Sequence, residues 1–301
     1  MAIDTNIVKT TVSGMSNVIP KPLVNELIKD LREASVYNAL SALGIFKDYS
    51  GRWSAGGKTI DIPTQADITV ASAVAEASLS PIVGTTAGNI QIVVGGVANA
   101  IQFTAESEQD VLNVFNDSYR EQLINSMSVK LSQDVITELN TTTNVQYALK
   151  SDKTAYTSSD IDADARLSFY TVLRTKRHMS RAKPKALLVH PACAESLIAE
   201  GRMTENSISL DIIRSGVIGR YLGMFVIEND FVNSVSENSV DVYQNFMLAE
   251  NAVAFAWKQP LSIDMQKDEI TQRTFTLHTF MRYGMELRKV DLVYKIKAVS
   301  D

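Results

Sequence analysis

The segment Gly51-Arg52-Trp53-Ser54-Ala55-Gly56-Gly57-Lys58-Thr59 raises nucleotide chemistry first. A phosphate-binding loop needs four residues between its first glycine and the Gly-Lys-Ser/Thr triplet, and must then open a helix whose N–H groups meet the phosphates. Here the step from Gly51 to Gly57 is one residue too long and the strand-like Ile60-Asp61-Ile62-Pro63 follows, so the segment reads as a loop entering a strand. Gly216, Gly219 and Gly223 have the wrong spacing for a dinucleotide fingerprint and precede a strand; they read as turns and close backbone approaches. His190 and Cys193 stand three apart at a predicted helix start, where the helix dipole would favour a thiolate. No third ligand or nucleophile elbow stands nearby, and a lone small thiol on an apolar helix reads as core. His178 and His278 have no carboxylate partner visible in the sequence, and one cysteine with three histidines cannot build a dense His/Cys metal centre. No catalytic, cofactor or metal site is expected, and the chain is not read as an enzyme.

The remaining chemistry is electrostatic. Arg174, Lys176, Arg177, Arg181, Lys183 and Lys185 form a run without an acidic residue. Such a cluster can face phosphates, but cations near a helix C-terminus also answer the macrodipole. A solvated face or a contact with another subunit is the preferred reading. The whole chain carries a net charge of -5, so no basic excess marks it as a free-standing nucleic-acid binder. With 45% hydrophobic and 21% charged residues in 301, there is material for a sizeable core. No apolar run of roughly 18 residues and no signal-peptide pattern occurs, and the single cysteine allows no intrachain disulfide. Synthesis in a reducing cytoplasm without membrane insertion is expected.

The elements that position these residues follow from periodicity. After Pro20 and Pro22, Leu23, Leu27 and Leu31, then Val36, Leu40 and Leu43, recur at helical spacing. From Gly56 to Ala105 alternation and small residues predict a long two-stranded ribbon, whose apolar parity flips after Gly95 and Gly96; a glycine bulge would explain the flip. A long helix is predicted from Ser107, capped with Asp110, through Leu123, Met127, Leu131, Val135 and Leu139. Its apolar steps of four drift by roughly 40° each, so its packing partner must change along its length. From Asp160 to Pro260 helices (Asp162 to Arg181, from Pro191, and Ile208 to Ile213) alternate with strands at Ala186 to Val189, Met224 to Glu228, Val242 to Leu248 and Val253 to Trp257, a compact α/β unit. The end, Leu261 to Val299, reads as antiparallel strands, with the segment after the long helix as a further pairing partner. An alanine- and serine-rich ribbon is marginal in water on its own and offers edges for pairing. Its economical partner is a neighbouring copy of the same chain.

A polar N-terminal arm, a hairpin opening with GGKTIDIP and closing with VVGGVANAIQFTAES, a long helix, an α/β unit containing LLVHPACAESLI and GVIGRYLGMFVIEND, and a β-rich end together resemble the major capsid proteins of tailed bacteriophages. The VHP motif followed by GxIGxxxGxxVI looks most like the branch named for the N4-like and P22-like coats. The resemblance implies an α+β, Hong Kong 97-type capsid fold: an arm with a short helix (1–51), an extended loop (52–104), a peripheral domain with a spine helix (105–159), an axial domain (160–260) and returning peripheral strands (261–301). It implies a structural subunit of an icosahedral shell around double-stranded DNA, made in the host bacterial cytoplasm and residing in the virion capsid. Pentamers and hexamers of itself, a separate scaffolding protein, a portal, decoration proteins and weakly held DNA would be its partners. Candidate intersubunit contacts are Trp53, Lys58, Glu76, Arg174, Arg177, Arg181 and Arg220. An encapsulin-type nanocompartment shell shares the implied architecture and stays open at this stage, as does a soluble cytoplasmic α/β enzyme.

Overall fold

The computed structural model describes residues 36–52, 57–65, 87–104, 114–179, 181–200, 217–267 and 274–300. The expected helix at Leu23 to Leu31, the Ser107–Asp110 cap, the ribbon tip and the helix at Ile208 to Ile213 lie outside them.

A seven-stranded sheet forms the centre of the α/β unit. Its path runs β5 (Val145–Tyr147), β13 (Val293–Val299), β10 (Val240–Ala249), β6 (Pro184–Val189), β8 (Met224–Glu228) and β7 (Val217–Tyr221), with β9 (Ser234–Glu237) also on β10. Alternation along β6 assigns its two faces. Leu187 and Val189 pack beneath two helices, α3 (Phe169–His178) and α4 (Pro191–Ala199), through Val172, Met179, Cys193 and Leu197. Ala186 and Leu188 point the other way, towards α1 (Val36–Ala42) and the last turns of α2 (Val114–Leu139), where Leu40, Val135, Ile136 and Leu139 meet Phe246 and Leu248. Covered on both faces, β6 and β10 carry apolar runs where the two clusters meet them, Ala186 to Val189 and Phe246 to Ala249.

A second, four-stranded sheet has the order β1 (Phe46–Asp48), β11 (Val253–Lys267), β12 (Thr274–Leu287) and β4 (Gly95–Thr104). The earlier turns of α2 pack on it, with Leu123, Ile124, Met127 and Leu131 against Phe255, Ile263, Leu277 and Met281. The drifting apolar stripe of α2 thus meets two sheets in succession, as its spacing requires. An aromatic cluster ties α1 to this sheet: Tyr37 lies 4.6 Å from Phe255, and Phe255 5.0 Å from Trp257. Below it, Tyr283 on β12 donates to Asp134 of α2 at 2.6 Å.

The predicted ribbon divides. β2 (Thr59–Gln65) and β3 (Ala87–Val93) pair antiparallel as a separate two-stranded sheet, but β4 leaves them to pair with β12. The parity flip marks this transfer, not a bulge: Val94 separates the two strands, its N–H donating to Lys58 O at 2.8 Å, and a new register starts at Gly95. β11 runs unbroken through Pro260, so the boundary expected at 260/261 falls inside one strand. β13 joins the seven-stranded sheet, antiparallel to β10 and parallel to β5, the segment after the long helix. Period-2 patterning identifies a strand without identifying its neighbours. The helix expected from Asp162 begins only at Phe169. Asp162 uses its carboxylate to accept the Asp164 N–H at 3.0 Å, a local bond that competes with helix, and Ser168 supplies the cap.

Candidate assembly surfaces

The hairpin of β2 and β3 rests on the four-stranded sheet by one of its two faces. One face carries Ile60, Ile62 and Ile92, which pack with Tyr49, Ala254 and Ala256. The other face is polar, where Asp61 accepts hydrogen bonds across the pair from Asn89 Nδ2 at 3.2 Å and Gln91 Nε2 at 3.1 Å. Val93 stands 58% exposed at its base. The anchoring point is Gly284 on β12, which lies so close to β3 that a Cβ there would sit 2.5 Å from Val93 O. Gly284 is not among the candidate contact residues that the sequence singles out. An isolated glycine inside an alternating strand is the signal that marks a close backbone approach.

The candidate contact residues fall at separate places. Trp53 and Glu76 lie outside the described residues. Lys58 is exposed at the hairpin root, immediately before β2 rather than before a helix, so the phosphate-loop geometry is absent there. Arg174 donates to Lys153 O at 3.2 Å within its own subunit. Arg177 and Arg181 are exposed at the C-terminal end of α3 and in the turn after it. Arg220, on β7, stacks its guanidinium 4.3 Å from the Phe225 ring centroid and is half-buried. Sequence spacing alone did not reveal that intrachain partner.

The C-terminal end of α3 forms a basic lip. Leu173, Lys176, Arg177, Lys183 and Pro184 line a groove of about 500 Å³, and Lys176 crosses it to donate to Leu222 O at 2.6 Å. Lys185 is engaged by Glu250 at 2.7 Å. Residues 181–183 turn the chain into β6, exposing Arg181 and Lys183.

Cys193 is fully buried, with Sγ 3.9 Å from Val299 O. His190 caps α4, its Nδ1 accepting the Ala192 N–H at 3.2 Å while its ring stacks on Tyr243 at 4.2 Å. Burial pulls its pKa down despite the opposing charge of Asp230. These two side chains therefore serve core and cap. Among the described residues no three His, Cys, Asp or Glu side chains converge in a way that could hold a metal ion, and no helix is long and apolar enough to cross a membrane.

No protein-family model and no curated protein sequence matches the chain. Solved structures do. The capsid of Ralstonia phage GP4 superposes with a TM-score of 0.67 at 12% identity, covering 100% of this chain and 98% of that one. The head structure of Helicobacter pylori bacteriophage KHP40 gives 0.62 at 12% identity, covering 89% and 91%. The cyanophage Pam1 capsid gives 0.61 at 16% identity, covering 85% and 89%. Nearly all of each partner is matched, so the likeness concerns a whole subunit and not a shared motif: this chain has the Hong Kong 97-type fold of phage capsid proteins.

Proposed function

We propose that this chain is the structural subunit of a phage capsid, assembling with copies of itself into an icosahedral shell that encloses double-stranded DNA. The observation that carries the reading is the end-to-end match to the Ralstonia phage capsid subunit. The hairpin supports it, since its outer edges are unpaired among the described residues and its polar face stands exposed, open to a neighbour. On this reading α2 is the spine of the peripheral domain, the α/β unit surrounds the pentamer and hexamer axes, and the role is geometric rather than enzymatic. The net charge of -5 agrees with a container whose lining must release its DNA. Lys58, Arg174, Arg177, Arg181 and Arg220, with Trp53 and Glu76, are its proposed contact residues. A separate scaffolding protein, a portal and decoration proteins are its proposed partners.

Sedimentation through a sucrose gradient tests the proposal. Protein produced with its neighbouring scaffolding gene is expected in a single fast-sedimenting band of closed particles. Sedimentation only as a monomer or small oligomer under those conditions would overturn it.

A further inference from the structure

The α/β unit carries opposite charges at the two ends of its central strand. β10 has ten residues, so its ends lie about 30 Å apart. At the Ala249 end sit the basic lip and its turn. Pro184 pairs with Ala249, Lys185 reaches Glu250, and the His178 ring stacks on Tyr294, which is itself opposite Met247. Arg177, Arg181 and Lys183 project there, exposed, and Asp291 is the further exposed acid of that end.

The Val240 end holds an acidic turn. Ile161 O accepts from Asn238 Nδ2 at 2.8 Å, Ala165 O accepts the Val299 N–H at 2.8 Å, and Val299 is opposite Val242. These bonds bring the 160–164 turn to the end of β10 that carries Asp241, and Asp160, Asp162, Asp164 and Asp241 are all exposed. Lys150 holds Asp160 at 2.5 Å and also lies close enough to feel the charges of Asp152 and Asp162, so part of the turn's charge is offset within the chain. The hydrogen bonds from Lys150 and Thr157 keep the Asp160 carboxyl well below the usual carboxylate range.

The separation greatly exceeds the roughly 8–10 Å over which exposed charges act in physiological salt, so the two ends cannot neutralise each other within one chain. We infer that the basic groove of α3 receives the acidic 160–164 turn of a second copy, so that copies join head to tail. A head-to-tail contact repeated by rotation closes into a ring and uses every pole once. This inference rests on the proposed shell function and names the contact that closes its rings.

Charge exchange tests it. One variant carries Arg177→Glu and Arg181→Glu; a second carries Asp164→Lys and Asp241→Lys. Neither the Asp164 nor the Asp241 carboxylate accepts a hydrogen bond among the described residues, so both pairs should fold, which far-UV circular dichroism checks. Each pair alone is expected to lower shell yield at least tenfold, with part of the loss recovered in higher salt. The chain carrying all four substitutions is expected to regain most of the yield. Folded wild-type protein that forms no shells would refute the shell function itself. Wild-type shells with no loss in either pair, or a loss in both that the fourfold chain fails to relieve, would overturn the head-to-tail contact. Normal empty shells that fail only to package DNA would assign the basic lip to DNA and overturn it equally. A milder pair, Arg177→Gln with Arg181→Gln, should show a smaller loss in the same direction, and its full activity would count against the contact.

Discussion

Gly284→Ala introduces one methyl group where β12 passes under the hairpin. An ideal Cβ at this position lies 2.5 Å from Val93 O, 2.8 Å from Ile92 Cγ2 and 3.0 Å from the Val93 carbonyl carbon. Relief to an ordinary contact of about 3.5 Å requires a movement of roughly 1 Å. β12 cannot supply it, because it is paired on both sides, Gly284 with Ala256 and Tyr283 with Gly95. β3 must move instead, and Ile92 is fully buried. Overpacking of this kind costs about 1–3 kcal/mol. At roughly 2–4 °C per kcal/mol for a chain of this size class, thermal unfolding of unassembled subunits should drop by several degrees. Adding Ile92→Ala removes Cγ2 but leaves the Val93 carbonyl oxygen in the way, so it should not restore stability. Shells from Gly284→Ala should be fewer and irregular, since the hairpin is seated on the body at a changed angle. An unchanged melting temperature together with normal shells would refute the claim that this glycine sets how the hairpin is seated.

Three further outcomes are expected. Cys193→Ala should cost about 1–2 kcal/mol as the loss of one small buried group, and a thiol reagent should label native protein slowly; rapid labelling would contradict burial. Tyr283→Phe should cost about 1 kcal/mol, because it removes the hydrogen bond to Asp134, measurable by urea denaturation; an unchanged midpoint would show that the bond contributes nothing. Glu138 accepts the Leu287 N–H at 3.0 Å, and burial, with Glu286 nearby, pushes its carboxyl up to about 7 from 4.5. The folded state therefore holds this proton more tightly than the unfolded chain, and stability present below about pH 4.5 should be lost as pH rises through about 7. The loss is roughly 1–2 kcal/mol after allowance for partial solvent exposure, and Glu138→Gln should flatten it; an unaltered pH profile in that variant would contradict the assignment.

Much of this architecture was legible in residue spacing. The stripe Leu123, Met127, Leu131, Val135, Leu139 showed both the helix and its change of partner, because a step of four residues overshoots a full turn. The parity flip at Gly95 located a real discontinuity, but alternation reports only which face is buried, so a bulge and a transfer between sheets look alike in sequence. For the same reason the expected pairing of the end of the chain with the segment after the long helix is met, by β13 on β5, but parallel rather than antiparallel, and the second partner of β13 is β10. The delayed start of α3 reflects Asp162 bonding locally, an effect that apolar periodicity does not register. Of the contact residues, Arg177 and Arg181 were legible as exposed because they belong to a run of cations without an acidic partner. Arg220 was not, since its covering partner, Phe225, sits on the next strand. The acidic turn was invisible as a counterpart to the basic lip, because their opposition exists only once β10 sets them at its two ends.

Cryo-electron microscopy of the purified assembly tests the central claim most directly. Closed shells of uniform diameter, with five- and six-fold rings of this chain and the exposed face of the β2–β3 hairpin against a neighbouring subunit, are the predicted result. A monodisperse monomer, or a shell in which the exposed face of the hairpin touches no neighbouring subunit, would contradict it.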